Sequence, residues 1–101
     1  MLDIKNTVNG TGLTVKLIGR LDTTTAPVLE GDLRKSVDNI EKLIFEISEL
    51  EYISSAGLRV LLSAQKVMNK QGEMIIRGAN ETVMEVFEVT GFVDILNIED
   101  K

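Results

Sequence analysis

Two adjacent hydroxyls, Ser54 and Ser55, stand where an alternating apolar stretch gives way to a helical one, in Tyr52-Ile53-Ser54-Ser55-Ala56-Gly57-Leu58-Arg59-Val60-Leu61-Leu62. Serines ahead of an apolar helix have two uses. Either can cap the helix by accepting a free backbone amide, at about 1 kcal/mol. Either can also accept a phosphoryl group, because a phosphate there meets the positive end of the helix dipole and unpaired amides. A phosphate would add about −1.5 to −2 charges to any surface on which a partner docks. Gly57, with no side chain, is expected to leave a second protein room to approach. A second polar loop, Asp22-Thr23-Thr24-Thr25, places one carboxylate before another helix, where its charge suits the dipole. In α/β sheets, function gathers at the carboxyl ends of parallel strands. If the two strands that feed these loops are neighbours, Asp22 and Ser55 face one surface.

Other chemistry is excluded by what the chain lacks. Among its 101 residues there is no cysteine and no histidine, which removes disulfides, thiolate metal sites, Cys nucleophiles and Ser-His-Asp triads. A nucleophilic serine needs a base within reach, and only lysine or a carboxylate remains. Ser-Ala-Gly also lacks the strained Gly-x-Ser-x-Gly elbow of hydrolases, so the chain reads as a non-enzyme. Asp22 alone cannot hold a metal, and no Gly-x-x-x-x-Gly-Lys loop cradles a nucleotide, so no cofactor is expected. A net charge of −5 opposes binding to a phosphate backbone and leaves nucleic acid out of the expected partners. The N-terminus has no charged segment followed by an apolar run, and no apolar stretch approaches the length of a membrane span. A cytoplasmic protein without membrane contact is the expectation.

The elements that must position the serines read as β-β-α-β-α-β-α-β in a single domain over residues 1–101. Leu2, Ile4 and Val8 alternate in a first strand, Asn9-Gly10-Thr11-Gly12 turns the chain, and Leu13-Thr14-Val15-Lys16-Leu17 returns it as a hairpin. Thr23 to Pro27 opens a helix with an apolar stripe of Ala26, Leu29, Leu33, Val37 and Ile40. Gly31 in that helix is either a close-packing site or an unoptimised position, and reads more readily as the latter. Leu43, Phe45 and Ile47 alternate in the next strand. The helix after the serines buries Leu58, Val60, Leu61, Ala64, Val67 and Met68. Its other side carries Arg59, Ser63, Lys66 and Lys70, a basic face that is either solvated or docks an acidic partner. Gly72 is expected as a left-handed cap. Met74 to Arg77 forms a strand, and Asn80 caps a third helix with Val83, Val86, Phe87 and Thr90 on its apolar side. Gly91 ends that helix, and Asp94 to Ile98 forms a last strand. Alternating strands and helices imply a mainly parallel α/β sheet. Thr14, Lys16, Glu46 and Ser48 interrupt the strands at period two, so the helices are expected mostly on one face.

With these residues assembled, the chain resembles the STAS-domain family, and within it the bacterial anti-sigma factor antagonists. The resemblance runs from the first hairpin to Ile98 and is carried by Gly19-Arg20-Leu21-Asp22, the Tyr52–Leu62 stretch and Thr90-Gly91-Phe92. It implies a STAS-type β-α superhelix with a mixed sheet. It also implies a partner switch, in which the unmodified antagonist binds an anti-sigma factor that is usually also a serine kinase, and so frees a sigma factor for transcription. That kinase phosphorylates the antagonist with ATP and Mg²⁺ and breaks the complex; a serine phosphatase restores it. Aligned on Gly57-Leu58, the acceptor falls on Ser55. Many antagonists carry aspartate just before that serine; here it is Ser54, the alternative acceptor. Asp22, Thr23, Ser54, Ala56, Gly57 and Arg59 fall on the implied partner-binding surface. A different reading within the family is an unphosphorylated scaffold or a module sensing a nucleotide or lipid.

Overall fold

The computed structural model describes residues 1–99. Five strands lie in the order β1-β2-β3-β4-β5: Leu2–Asn9, Gly12–Leu21, Lys42–Ile53, Glu73–Arg77 and Ile98–Glu99. The β1–β2 pair is antiparallel and every later pairing is parallel. Helices α1 (Ala26–Ser36), α2 (Ser55–Gln71) and α3 (Glu81–Thr90) form the crossovers. The hairpin closes through Gly10 and Thr11, with Asn9 paired to Gly12. Of the two loop residues, Gly10 takes positive φ (64°), at the first position of a two-residue loop where glycine is favoured.

One core collects the inward residues of every central strand. Leu13, Val15, Leu17 and Leu21 of β2 are fully buried, while Thr14, Lys16 and Ile18 on the other face are half-buried. The helices add Leu29, Leu33, Leu58, Leu61, Met68, Val83 and Phe87 to the same core. The opposite face carries a lateral row of charge set by the register: Lys5, Lys16, Glu46, Arg77 and Glu99. Lys16 pairs with Glu49 at 2.9 Å and Arg77 with Glu99 at 3.1 Å.

Strand β3 is longer than its alternation suggested, because it is bulged twice. Between the pairs Lys16–Glu46 and Ile18–Glu49, β2 spends one residue and β3 spends two. A second extra residue, Glu51, lies between the pairs Gly19–Leu50 and Arg20–Tyr52. Each bulge shifts the strand's parity by one. The inward set therefore runs Leu43, Phe45, Ile47, then Leu50, then Ile53. Asn80 ties α3 to this irregular stretch: its Oδ1 accepts the Val83 amide at 2.8 Å and its Nδ2 donates to the Leu50 carbonyl at 2.9 Å.

Several expectations are corrected. Val67 is 40% exposed, not buried, because it lines an open hollow between α1 and α2 with Leu33, Arg34 and Val37. Gly72 has φ 170°, not a left-handed value; a Cβ there would lie 1.8 Å from the Glu41 carbonyl oxygen, so close backbone approach explains the glycine. Ile40 is buried but lies beyond α1. Phe92–Asp94 is a 3₁₀ turn, and among the described residues the final strand is Ile98–Glu99. Val8 is 67% exposed at the hairpin tip. Gly91 does cap α3 at φ 80°.

Candidate functional site

Strands β2 and β3 are neighbours, and their last residues, Leu21 and Ile53, are register partners. The Ser54 amide donates to the Leu21 carbonyl at 2.9 Å, which stitches the two outgoing loops together. The loops therefore leave adjacent carboxyl ends of the sheet, as the strand order required.

The first loop is braced by Asp22. Its Oδ1 accepts the amides of Thr24 (3.0 Å) and Thr25 (3.1 Å) and lies 3.2 Å from the Thr25 hydroxyl. The Thr25 hydroxyl in turn accepts the Asp22 amide at 2.8 Å and donates to the Arg20 carbonyl at 2.9 Å. The amide of Thr25, joined by that of Thr24 and the Thr25 hydroxyl, holds the Asp22 carboxyl below its ordinary range against some desolvation. Arg20 lies 3.9 Å from the Asp22 carboxylate and stacks on its cross-strand neighbour Tyr52, 4.6 Å from the ring centroid. Thr25 occupies the N-cap position of α1 without a side-chain capping bond. The bracing done here by Asp22 was the signal least visible in the loop's composition.

The second loop separates the two serines. Ser54 is the N-cap residue of α2 by backbone geometry, but its side chain makes no capping bond, and its Oγ is buried without a hydrogen-bond partner. The capping reading thus holds for position and fails for the bond. Ser55 is the first helical residue and is exposed. The first intrahelical bond runs from the Leu58 amide to the Ser54 carbonyl, at 2.9 Å. The amides of Ser55, Ala56 and Gly57 lie ahead of it, at the positive end of the dipole, and the first turn holds no acidic residue.

Gly57 does not open the surface. It is buried, and a Cβ on it would lie 2.7 Å from Leu21 Cγ and 2.9 Å from Ile53 Cγ1. Its missing side chain lets α2 sit down on the ends of β2 and β3, and the room expected for a partner faces inward instead. The open space lies in a groove of about 530 Å³ between α1 and α2, lined by Thr23, Ala26, Glu30, Ala56, Arg59 and Lys66 among others. Thr23, Ala56 and Arg59 thus meet on one surface. Asp22 does not join them; it lines a separate hollow with Met1, Leu2 and Val28. Ser63, Lys66 and Lys70 are exposed on α2, as their spacing predicted. No group of three or more carboxylates suited to a metal ion occurs among the described residues. No helix among them is long and apolar enough to cross a membrane.

The family description of the STAS domain matches residues 3–101. The chain belongs to the STAS family. BtrV of Bordetella bronchiseptica is 39% identical over 84 residues, covering 81% of this chain and 72% of that protein. The anti-sigma-B factor antagonist of Bacillus subtilis is 29% identical over 101 residues, covering 99% and 91%. Among solved structures, an anti-sigma factor antagonist from Mycobacterium paratuberculosis superposes with a TM-score of 0.91 at 20% identity, over 100% of this chain and 87% of that one. The Bacillus cell fate determinant SpoIIAA in its phosphorylated form superposes at 0.74 and 15%, over 100% and 93%. The STAS fold with its mixed sheet is therefore this chain's fold, with helices gathered on one face as the strand pattern implied.

Proposed function

We propose that this STAS domain is an anti-sigma factor antagonist whose partner binding is switched off by phosphorylation of Ser55. One observation carries the choice of residue: Ser55 is exposed at the first position of α2, while the Ser54 hydroxyl one residue earlier is buried. A kinase can reach the first and not the second. The anti-sigma-B factor antagonists among the relatives support the general role, and the phosphorylated form of SpoIIAA supports the kind of modification.

In the step proposed, the Ser55 Oγ attacks the γ-phosphorus of ATP held with Mg²⁺ by the partner kinase. The Oγ–P bond forms, the bond to the β–γ bridging oxygen breaks, ADP leaves, and the hydroxyl proton passes to a base on the kinase. The new phosphate is met by the free amides of Ser55, Ala56 and Gly57, so the fold tolerates it. Its charge falls beside the groove bounded by Thr23, Ala56 and Arg59, the surface assigned to the anti-sigma factor. Asp22 acts from one step back, by fixing the loop that presents Thr23. A serine phosphatase reverses the modification, and the exchange takes place in the cytoplasm. The test is incubation with ATP and the cognate kinase followed by mass-spectrometric mapping. Phosphate is expected at Ser55 and absent in Ser55→Ala; phosphate at Ser54, or none on the chain, would overturn the assignment.

A further inference from the structure

Arginines in this chain are spoken for, with one exception. Arg20 is held by Asp22 and Tyr52, Arg34 pairs with Glu30 at 3.4 Å, and Arg77 pairs with Glu99. Among the described residues Arg59 alone of the four has no carboxylate within ion-pair distance, and it is exposed. It stands four residues after Ser55 in α2, one turn above it on the same side. Helical side chains lean back over the turn that precedes them. Arg59 lines the groove with Ala56 and Thr23 near the start of its helix, and with Ser63 and Lys66 farther along it.

We infer that Arg59 is the intramolecular clamp for a phosphate on Ser55, an inference that rests on the switch proposed above. The order is the favourable one, anion toward the N-terminus and cation four residues later. A guanidinium matches phosphate oxygens with two parallel N–H donors, which an ammonium cannot do. Glu30, the carboxylate that shares the groove, already has Arg34. Lys66, also in the groove, is eleven residues beyond Ser55, about 16 Å along the helix axis, and out of reach. Arg20 is committed to its own loop. Modification therefore changes the docking surface twice. It adds a dianion, and it withdraws the unpaired guanidinium that an acidic group on the anti-sigma factor would otherwise meet.

The test uses the full chain with phosphoserine installed genetically at position 55, so that it does not depend on finding the kinase. The phosphorus chemical shift is followed against pH in the otherwise unchanged protein and in Arg59→Ala and Arg59→Lys. The second phosphate pKa is expected to rise by about 0.15–0.4 unit in Arg59→Ala, with Arg59→Lys between the two. Unphosphorylated Arg59→Ala should melt with the parent, which separates the clamp from a structural role. Identical titrations in Arg59→Ala and the parent would overturn the clamp. Failure of a cognate kinase to modify Ser55 would overturn the switch and leave this titration as it stands.

Discussion

At the scale of single residues, the two serines divide what their sequence left shared. Ser54 sits where a capping hydroxyl belongs, yet its Oγ is buried and unbonded. Removing a true cap costs about 1 kcal/mol, whereas removing a buried hydroxyl that bonds nothing is neutral or favourable. Ser54→Ala is therefore expected to unfold in urea at the same concentration as the parent or higher, with up to about 1 kcal/mol of gain. Ser55→Ala, at an exposed hydroxyl, should stay within about 0.5 kcal/mol of the parent. Asp22 gives a pH signature. Its carboxyl is held below the ordinary 3.8 in the folded chain, so the unfolded chain takes up the proton first. The stability it contributes is present above 3.8 and is lost as pH falls through the lower folded value. In Asp22→Asn, which keeps an acceptor oxygen but not the charge, the gap to the parent in denaturation midpoint should be steady above pH 3.8 and narrow below it.

At the scale of elements, two glycines in helices make opposite predictions. At Gly57 a Cβ meets branch carbons of Leu21 and Ile53 below 3.0 Å, so Gly57→Ala must push α2 off the strand ends. Overpacking of this kind costs about 1–3 kcal/mol, which outweighs the helix-propensity gain of about 1 kcal/mol. At Gly31 nothing lies within 4 Å, and Gly31→Ala is expected to gain roughly 0.5–1 kcal/mol by the same propensity. Thermal unfolding of the pair checks both signs. Helix positions, the hairpin and the one-sided sheet were readable because apolar periodicity, Asn-Gly and the Asn80 and Gly91 caps act locally. The β3 bulges were not, since they exist only in the pairing with β2, and parity beyond Ile47 follows from them. Gly57 was misread for the same reason: whether a missing side chain opens outward or inward depends on Leu21, which is remote in sequence. Val67 and Gly72 failed likewise, through the position of α1 and of the Glu41 carbonyl.

At the scale of the whole molecule, the proposed switch acts on a surface that the core and two stitched loops hold in place. A core of leucine, isoleucine, valine and methionine fixes the ends of β2 and β3. The Leu21–Ser54 bond fixes the two loops, and Ser55 is left exposed at a helix start with no acidic residue in its first turn to oppose a phosphate. The chain carries −5 overall, while Arg59, Lys66 and Lys70 make one side of α2 basic. On the proposed reading, a partner with an acidic docking group meets that side, and a phosphate at Ser55 opposes it. A newly opposed or withdrawn charge at an interface is worth enough to reduce affinity by at least tenfold. The most direct measurement is the affinity, by calorimetry, of the cognate anti-sigma factor for the full chain with serine or phosphoserine at position 55. The account predicts binding by the serine form and a loss of about tenfold or more in the phosphoserine form, with both forms equally folded. Equal affinities for the two would contradict it.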